Sequence, residues 1–261
     1  MKKIKKYDII YSLGSNCSCA IYMQKAKLRS CAGPFDWLGN INFSQKMDLI
    51  LNDFIDFLNP EDLRFMPDNV DNTNHDHYEN IKNGLYFFHD FSKNVPLSED
   101  ILKVKEKYNR RINRFYHNLF HQKRALLIWI SYQYETSDQD VINATTRLCQ
   151  KLGRKIDFLI IEHTDNLSSI IKRNLSDNII RYNCHIKKYD NNGKLDLMGN
   201  EETVLSILEQ YHLVVPWKQK IKRTIFNFLK IFIKICSSVI PIKKWRHSIR
   251  DTLLSKLYQY E

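Results

Sequence analysis

Short apolar runs alternate with amphipathic stretches along the first 210 or so residues of the chain. The apolar runs predict buried strands, and they lie at 8–13, 84–89, 125–131, 156–161 and 179–186. The intervening periodicity predicts helices, and they lie at 17–28, 44–58, 98–121, 137–152 and 201–211. Such alternation is typical of a largely parallel sheet with helices on both faces. We therefore predict a three-layer α/β fold.

One long polar stretch interrupts this pattern. Residues 60–83 contain the run Asp71-Asn72-Thr73-Asn74-His75-Asp76-His77 and little apolar periodicity. We predict that this stretch crosses the surface of the domain without regular structure.

The character of the sequence changes after Pro216, which gives two predicted domains, 1–216 and 217–261. Residues 225–235 are strongly apolar, but they include Lys230 and Lys234, and the run is too short and too charged to cross a membrane. A basic amphipathic helix in the lipid interface fits this pattern. A helix that packs on the body, with a solvated basic side, fits it equally well.

The net charge of +11 is concentrated at the two ends of the chain. Four lysines lie within the first six residues, and eleven Lys and Arg face only Asp251 and Glu261 beyond position 216. A nucleic-acid-binding body would carry basic residues on its own surface, so we expect no nucleic acid as partner. An anionic membrane surface is the expected partner of the C-terminal tail.

The six cysteines show no paired C-x-x-C spacing and no dense disulfide framework, which indicates a reducing compartment. The basic residues after Met1 lead directly into a strand pattern, with no apolar core of a signal peptide. We expect a cytoplasmic protein, peripheral at the inner face of the membrane.

A candidate nucleophile follows the first strand. An apolar run enters the turn Gly14-Ser15-Asn16 and delivers Cys17 to a predicted helix start, where free N–H groups and the helix dipole favour a thiolate. The N–H of Cys17, with Ser15 or Asn16, is the candidate oxyanion pocket. The structural alternative is that Cys17 is a small buried apolar residue.

His89 is the candidate general base, because it also follows a predicted strand and would meet Cys17 if the two strands are neighbours. Asp90 or Asp36 would orient its imidazole. The structural alternative is a loop histidine with only local hydrogen bonds. Glu162-His163, at the end of the strand from Ile156, supplies a spare base.

Basic and aromatic residues form a candidate substrate-binding set. Arg110 and Arg114 stand at i and i+4 of a predicted helix and would suit a phosphate or carboxylate. The alternative is a solvated helix face, with Glu106 pairing Arg110. The full set is Arg29, Trp37, Arg110, Arg111 and Arg114.

We expect no metal and no cofactor. The cluster His75-Asp76-His77 has no companion at ligand spacing, and Cys184 and His185 would point to opposite faces of a strand.

Five separated motifs resemble, in order, those of a bacterial family of unknown function described as papain-like cysteine peptidases. The resemblance covers roughly residues 7 to 165. The motifs occupy 12–17, 28–29, 34–37, 88–91 and 108–111. It implies that Cys17 is the nucleophile and His89 the partner base. Papain-like enzymes carry the histidine on an antiparallel barrel, whereas the alternation here predicts a different scaffold.

The sequence therefore predicts a cysteine-dependent hydrolase or acyl or amide transferase. The family resemblance and the basic tail suggest a glycan, lipid-linked or peptide substrate and a role in bacterial surface-polysaccharide synthesis. Two alternatives stay open: a nucleotide-sugar-dependent glycosyltransferase, in which Cys17 only shapes the pocket, and a non-catalytic membrane-associated assembly factor. The turn is also similar to the first block of lipase-like serine esterases, although its serine is displaced and no late Asp-x-x-His follows.

Overall fold

The computed structural model describes most of the 261-residue chain. The described residues are 4–67, 74–165, 167–185, 198, 201–215, 217–238, 245, 249–250 and 252–253. The chain divides into two compact units, 1–213 and 214–261. Within the predicted tail 217–261, residues 239–244, 246–248, 251 and 254–261 lie outside the described residues.

Eleven strands and six α-helices are described. The strands are β1 (Lys5–Tyr7), β2 (Ile9–Ser12), β3 (Leu38–Gly39), β4 (Leu63–Phe65), β5 (His75–Asn80), β6 (Tyr86–Ser92), β7 (Ala125–Ser131), β8 (Asp157–His163), β9 (Ile171–Ser176), β10 (Ile179–Cys184) and β11 (Tyr211–Leu213). The helices are α1 (Ser18–Lys25), α2 (Phe43–Leu51), α3 (Leu97–His121), α4 (Asp138–Leu152), α5 (Glu201–Leu208) and α6 (Trp217–Ser238).

The main sheet is mostly parallel, as the alternation of strands and helices predicts. Its strand order is β2-β7-β8-β10-β9, and only β9 runs antiparallel to its neighbour. All seven residues of β7 are buried, which explains its unbroken apolar sequence. A mixed α/β fold is therefore confirmed, while the exact three-layer arrangement stays a prediction.

A second sheet corrects the prediction for residues 60–83. Its order is β3-β6-β5-β4, it is antiparallel throughout, and β4 and β5 come from the stretch predicted to be irregular. The polar residues of β5 hid the strand, yet Asn80 is fully buried and its amide donates to the carbonyls of Asp56 and Phe57. Hydrogen bonds of this kind allow a polar strand to be buried.

Several helices end earlier than predicted, because the chain adopts left-handed conformations there. α2 stops at Leu51, not 58, since Asp53 and Phe54 have φ of 55° and 58°. Lys27, with φ of 58°, follows the end of α1 in the same way. Such positions end a helix whatever the apolar spacing beyond them.

Besides β4 and β5, four short or polar strands escaped prediction: β1, β3, β9 and β11. β1 pairs in parallel with β11 in a separate two-stranded sheet, and β9 pairs with β10 across the turn Asp177-Asn178. In the second unit, α6 covers the apolar run of the tail. A search of the described helices finds none with the length and apolar character needed to cross a membrane.

Candidate active site

The turn after β2 is held close to the main sheet. The N–H groups of Leu13 and Ser15 donate to the carbonyls of Ile128 and Ile130, which extends the pairing with β7. A Cβ added at Gly14 would lie 2.1 Å from the Cβ of Cys19. Only glycine fits here, so the turn brings the chain directly onto the first turn of α1.

Cys17 stands immediately before α1, as the strand-turn-helix pattern predicts. It occupies the N-cap position without a side-chain capping bond, and its side chain is partly exposed. Burial raises the pKa of the Cys17 thiol, and its own backbone N–H lowers that pKa by less. Burial therefore favours the protonated thiol, whereas the helix start favours a thiolate, and a thiolate at Cys17 stays a prediction.

The two residues before Cys17 have defined partners. Asn16 Oδ1 accepts a hydrogen bond from the N–H of Ser18 at 2.9 Å, and Asn16 Nδ2 donates to the Tyr132 hydroxyl at 2.5 Å. The Ser15 hydroxyl donates to the carbonyl of Ile130 at 3.3 Å. These bonds fix the orientation of the turn that presents Cys17.

A buried lysine, which the sequence pattern does not reveal, hydrogen-bonds to the turn that presents Cys17. Lys46 of α2 is fully buried, and its Nζ donates a short hydrogen bond to the carbonyl of Gly14. The same Nζ lies 5.2 Å from the centre of the Phe35 ring and 5.8 Å from that of Trp129. Burial lowers the pKa of Lys46 to about 7. In sequence it is an ordinary lysine in an amphipathic helix, so no local signal distinguishes it.

Cys19, unlike Cys17, is a fully buried cysteine. Its Sγ lies 3.4 Å from the carbonyl oxygen of Ile128, and burial raises its pKa to about 12. A sulfur so placed packs as a small apolar group and does not ionise.

His89 lies within β6, not at its end as predicted. The register joins Asp76 to Phe91 and Tyr78 to Phe87, so residues 88–90 oppose His77 alone. This is a β-bulge, a distortion that turns side chains out of the regular alternation. The bulge explains why His89 is exposed although Phe87 and Phe91, on the same side by alternation, are buried.

Aromatic and charged residues surround the imidazole of His89. Its ring centre lies 5.9 Å from that of Trp37 and 6.1 Å from that of His75. Although His89 is exposed on the strand, the neighbouring rings remove part of its imidazole from water. This partial desolvation lowers the pKa of His89, the charge of Asp90 raises it, and His75 and Lys107 lower it further. The net direction is downward, so His89 is neutral at neutral pH and can accept a proton.

The two candidate orienting carboxylates each have strong partners elsewhere. Asp90 accepts hydrogen bonds from Lys107 Nζ at 2.7 Å and from the Tyr108 hydroxyl at 3.0 Å. Asp36 accepts from Arg29 Nε at 2.8 Å and from the N–H of Gly33 at 3.0 Å. Orientation of His89 by either carboxylate stays a prediction, with Asp90 favoured by its electrostatic effect on His89.

The candidate substrate-binding arginines occupy different environments. Arg29 pairs with Asp36 and lies 5.8 Å from the centre of the Trp37 ring. Arg114 donates to the carbonyl of Ala32, Arg111 stacks over Tyr108, and Arg110 is exposed. The substrate-binding role of all five residues stays a prediction.

The turn that presents Cys17 is connected to the antiparallel sheet that carries His89 by a route that the sequence pattern does not indicate. β2 and β6 belong to different sheets, so the expected meeting of neighbouring strands is wrong. The connection runs instead through residues 29–39, which lead into β3, the partner of β6. Within that segment Phe35 contacts Lys46, and Trp37 contacts His89.

A thiol enzyme needs its cysteine and histidine within hydrogen-bond reach of each other. Here Cys17 lies at a helix start beside the parallel sheet, His89 lies on the antiparallel sheet, and no hydrogen bond among the described residues joins the two side chains. The expectation of a scaffold different from the papain-like one stays a prediction: the main sheet is mostly parallel, and His89 lies on a separate antiparallel sheet. The family model described as "Putative papain-like cysteine peptidase (DUF1796)" matches residues 8–166, more than half of the chain. The chain belongs to this family.

One relative shows how far this membership extends. The chain is 31% identical over 134 residues to "Uncharacterized protein R408" of Acanthamoeba polyphaga mimivirus. The alignment covers 46% of this chain and 59% of that protein, so the chain spans less than two thirds of the relative's length. This relative is viral, and it gives no support to the expected bacterial origin. No solved structure matches the chain.

Proposed function

We propose that the protein is a cysteine-dependent hydrolase or acyl or amide transferase, with Cys17 as nucleophile and His89 as general base. The observation that carries the proposal is the position of Cys17 at the head of α1, within residues 8–166 that match the cysteine-peptidase family model. A raised pKa favours the thiol form of Cys17, and a lowered pKa keeps His89 a neutral acceptor. A thiol and a neutral imidazole form a competent pair when the base removes the proton during attack.

The first step forms a thioester. His89 takes the proton from Cys17 Sγ as the sulfur attacks the carbonyl carbon, and a tetrahedral intermediate forms. Its collapse breaks the bond to the amine or alcohol, which leaves with the proton that His89 returns. In the second step His89 deprotonates water, for hydrolysis, or an acceptor nucleophile, for transfer, and Cys17 leaves as a thiol.

Proton transfer requires the imidazole of His89, on the antiparallel sheet, to lie close to Cys17 Sγ. α3 packs against both β6 and β2 and so spans the two sheets. The segment through Phe35 and Trp37 is the second link. Two independent connections favour a fixed geometry between the sheets, which general base catalysis needs.

Trapping of an acyl-enzyme tests the proposal. The protein is incubated with a panel of thioesters and anilides bearing peptide, acyl and glycan groups, quenched in acid, and mapped by mass spectrometry. We expect an adduct on the peptide containing Cys17 that Cys17→Ala abolishes and Cys31→Ala retains. Cys31 is a matched control because it is also partly exposed. Equal adducts on both cysteines would contradict the proposal.

We also propose that α6 lies on an anionic membrane surface and that the substrate is a lipid-linked or glycan molecule, such as one of bacterial surface-polysaccharide synthesis. An exposed apolar stripe at helical spacing supports this proposal. The stripe consists of Trp217, Ile221, Ile225, Phe228, Phe232 and Ile235. Lysines are frequent in the same helix, as anionic headgroups require.

Vesicle flotation tests the membrane proposal. The wild-type chain should float with vesicles containing phosphatidylserine and remain unbound with phosphatidylcholine alone. The double variant Phe228→Glu, Phe232→Glu should lose flotation, because charge on the stripe opposes burial in lipid. Ile55→Glu changes an exposed apolar residue of the first unit and should float normally. If the double variant floated as well as Ile55→Glu, the proposal would be contradicted.

A further inference from the structure

Two histidines meet at the carboxyl edge of the main sheet, away from Cys17. His163 is the last residue of β8, and His185 directly follows β10, the neighbouring parallel strand. The register pairs Cys184 with His163, so the two histidines leave the sheet side by side. Asp165 follows two residues after His163.

The ligand atoms of these three side chains converge. One nitrogen or oxygen from each of His163, Asp165 and His185 lies within 4.8 Å of the other two. The imidazole centres of the two histidines are 5.1 Å apart, and His163 Nε2 lies 2.9 Å from Asp165 Oδ1. Ligands of a tetrahedral zinc ion are about 3.4 Å apart, given metal–ligand distances near 2.0–2.1 Å. Small side-chain rotations therefore suffice to bind a metal ion.

The backbone around this cluster is fixed before any ion binds. The N–H of Thr164 donates to the carbonyl of Cys184 at 3.1 Å, and Asn183 Nδ2 donates to the Thr164 hydroxyl at 2.9 Å. These bonds tie the residue between His163 and Asp165 to the end of β10. A supporting shell that orients the ligands is a feature of metal sites in proteins.

We propose that His163, Asp165 and His185 bind a divalent transition-metal ion, with zinc as the reference ion. Imidazole nitrogen and carboxylate oxygen are ligands that zinc accepts, whereas magnesium and calcium prefer oxygen alone. Three protein ligands leave a fourth position for water or another small ligand. Among the described residues, this is the single group of three or more such side chains at ligand distance.

The site is distinct from the Cys17 turn. β7 separates β2 from β8 in the sheet, which sets the two sites about 10 Å apart along the carboxyl edge at the usual strand spacing. The sequence pattern predicts His163 as a spare base and argues against Cys184 with His185 as metal ligands. It does not predict the pair, because His163 and His185 follow different strands and only the sheet register brings them together. Its role is independent of the catalytic proposal above.

Zinc titration of the full chain by calorimetry, in metal-free buffer, tests the proposal. We expect one zinc bound per chain, with affinity falling at least about tenfold in His163→Ala, in His185→Ala and, to a smaller extent, in Asp165→Asn. Zinc should raise the melting temperature of the wild type and leave that of His163→Ala unchanged. The melting temperature without metal checks that each variant folds.

The matched control is the exposed histidine pair of α3. His117 and His121 stack with ring centres 4.3 Å apart at i and i+4 and could bind zinc as a two-ligand site. The double variant His117→Ala, His121→Ala should retain the wild-type affinity. The proposal is overturned if this variant alone loses zinc, or if wild type and His163→Ala bind zinc equally.

Discussion

The Trp37 ring lies edge-on to the His89 imidazole, with centroids 5.9 Å apart and an interplanar angle of 85°. Trp37 belongs to the segment that follows α1, whereas His89 belongs to the bulge of β6. This contact therefore joins the part of the chain that carries Cys17 to the sheet that carries the histidine. Arg29, which pairs with Asp36, lies 5.8 Å from the centre of the Trp37 ring.

The titration of His89 should respond in opposite directions to its two charged neighbours. Asp90 raises the pKa of His89 and Lys107 lowers it. We therefore expect Asp90→Asn to lower that pKa and Lys107→Met to raise it, both read from the imidazole resonances in NMR titrations. Shifts of the same sign in the two variants would show that packing, not charge, controls the histidine.

Loss of the Asp36 carboxylate should destabilise the protein. Asp36 is buried, and Arg29 beside it is mostly buried. Asp36→Asn leaves the guanidinium without its counter-ion, which should reduce the free energy of unfolding by about 3 kcal/mol, measured in urea. Arg64→Ala, which breaks an exposed pair with Glu79, should cost less than about 1 kcal/mol. Equal costs would show that burial adds nothing to the Arg29–Asp36 pair.

The buried Lys46 should make stability depend on pH. Its pKa falls from 10.5 in the unfolded chain to about 7 in the fold, so between these values the unfolded state binds more protons. The free energy of unfolding of the wild type should therefore rise with pH over this window, by up to about 1.4 kcal/mol per unit, relative to Lys46→Met. Below pH 7 the difference between the two proteins should be constant. If the free energies of unfolding of wild type and Lys46→Met changed in parallel from pH 7 to 10, Lys46 would have an ordinary pKa.

A side chain at Gly14 should disrupt the turn that presents Cys17. The added Cβ of Gly14→Ala meets the Cβ of Cys19 at 2.1 Å, a clash with an atom that cannot rotate away. Gly153→Ala serves as control, because it introduces a left-handed alanine in open space, at a cost of about 1 kcal/mol. Thermal unfolding should show a larger loss for Gly14→Ala. A smaller loss of melting temperature in Gly14→Ala than in Gly153→Ala would mean that the turn shifts easily to accept the side chain.

The sequence predicts the parts of the fold in which local pattern and burial agree. The short apolar runs of β7 and β8 are typical of buried strands, and Ser137 and Gly153 mark the ends of α4 by capping. β5 was missed because its buried polar residues are satisfied by contacts distant in sequence, such as Asn80 with Asp56. Long-range hydrogen bonds of this kind leave no periodic signal.

The residues of the candidate sites show the same distinction between local pattern and contacts distant in sequence. The strand-turn-helix pattern locates Cys17 correctly at the head of α1, since all the determinants lie within ten residues. Lys46, the bulge at His89 and the convergence of His163 with His185 depend on pairing between separate elements. Each needs the register of a sheet or the packing of a helix, which the sequence pattern does not contain.

The rate of alkylation of Cys17 tests the central claim, that His89 activates this thiol. Iodoacetamide labelling at neutral pH is followed for each cysteine by mass spectrometry in wild type, His89→Ala and His163→Ala. We predict that His89→Ala slows labelling of Cys17 at least about tenfold, that Cys31 is unaffected, and that His163→Ala matches the wild type. An unchanged rate at Cys17 in His89→Ala would contradict the account.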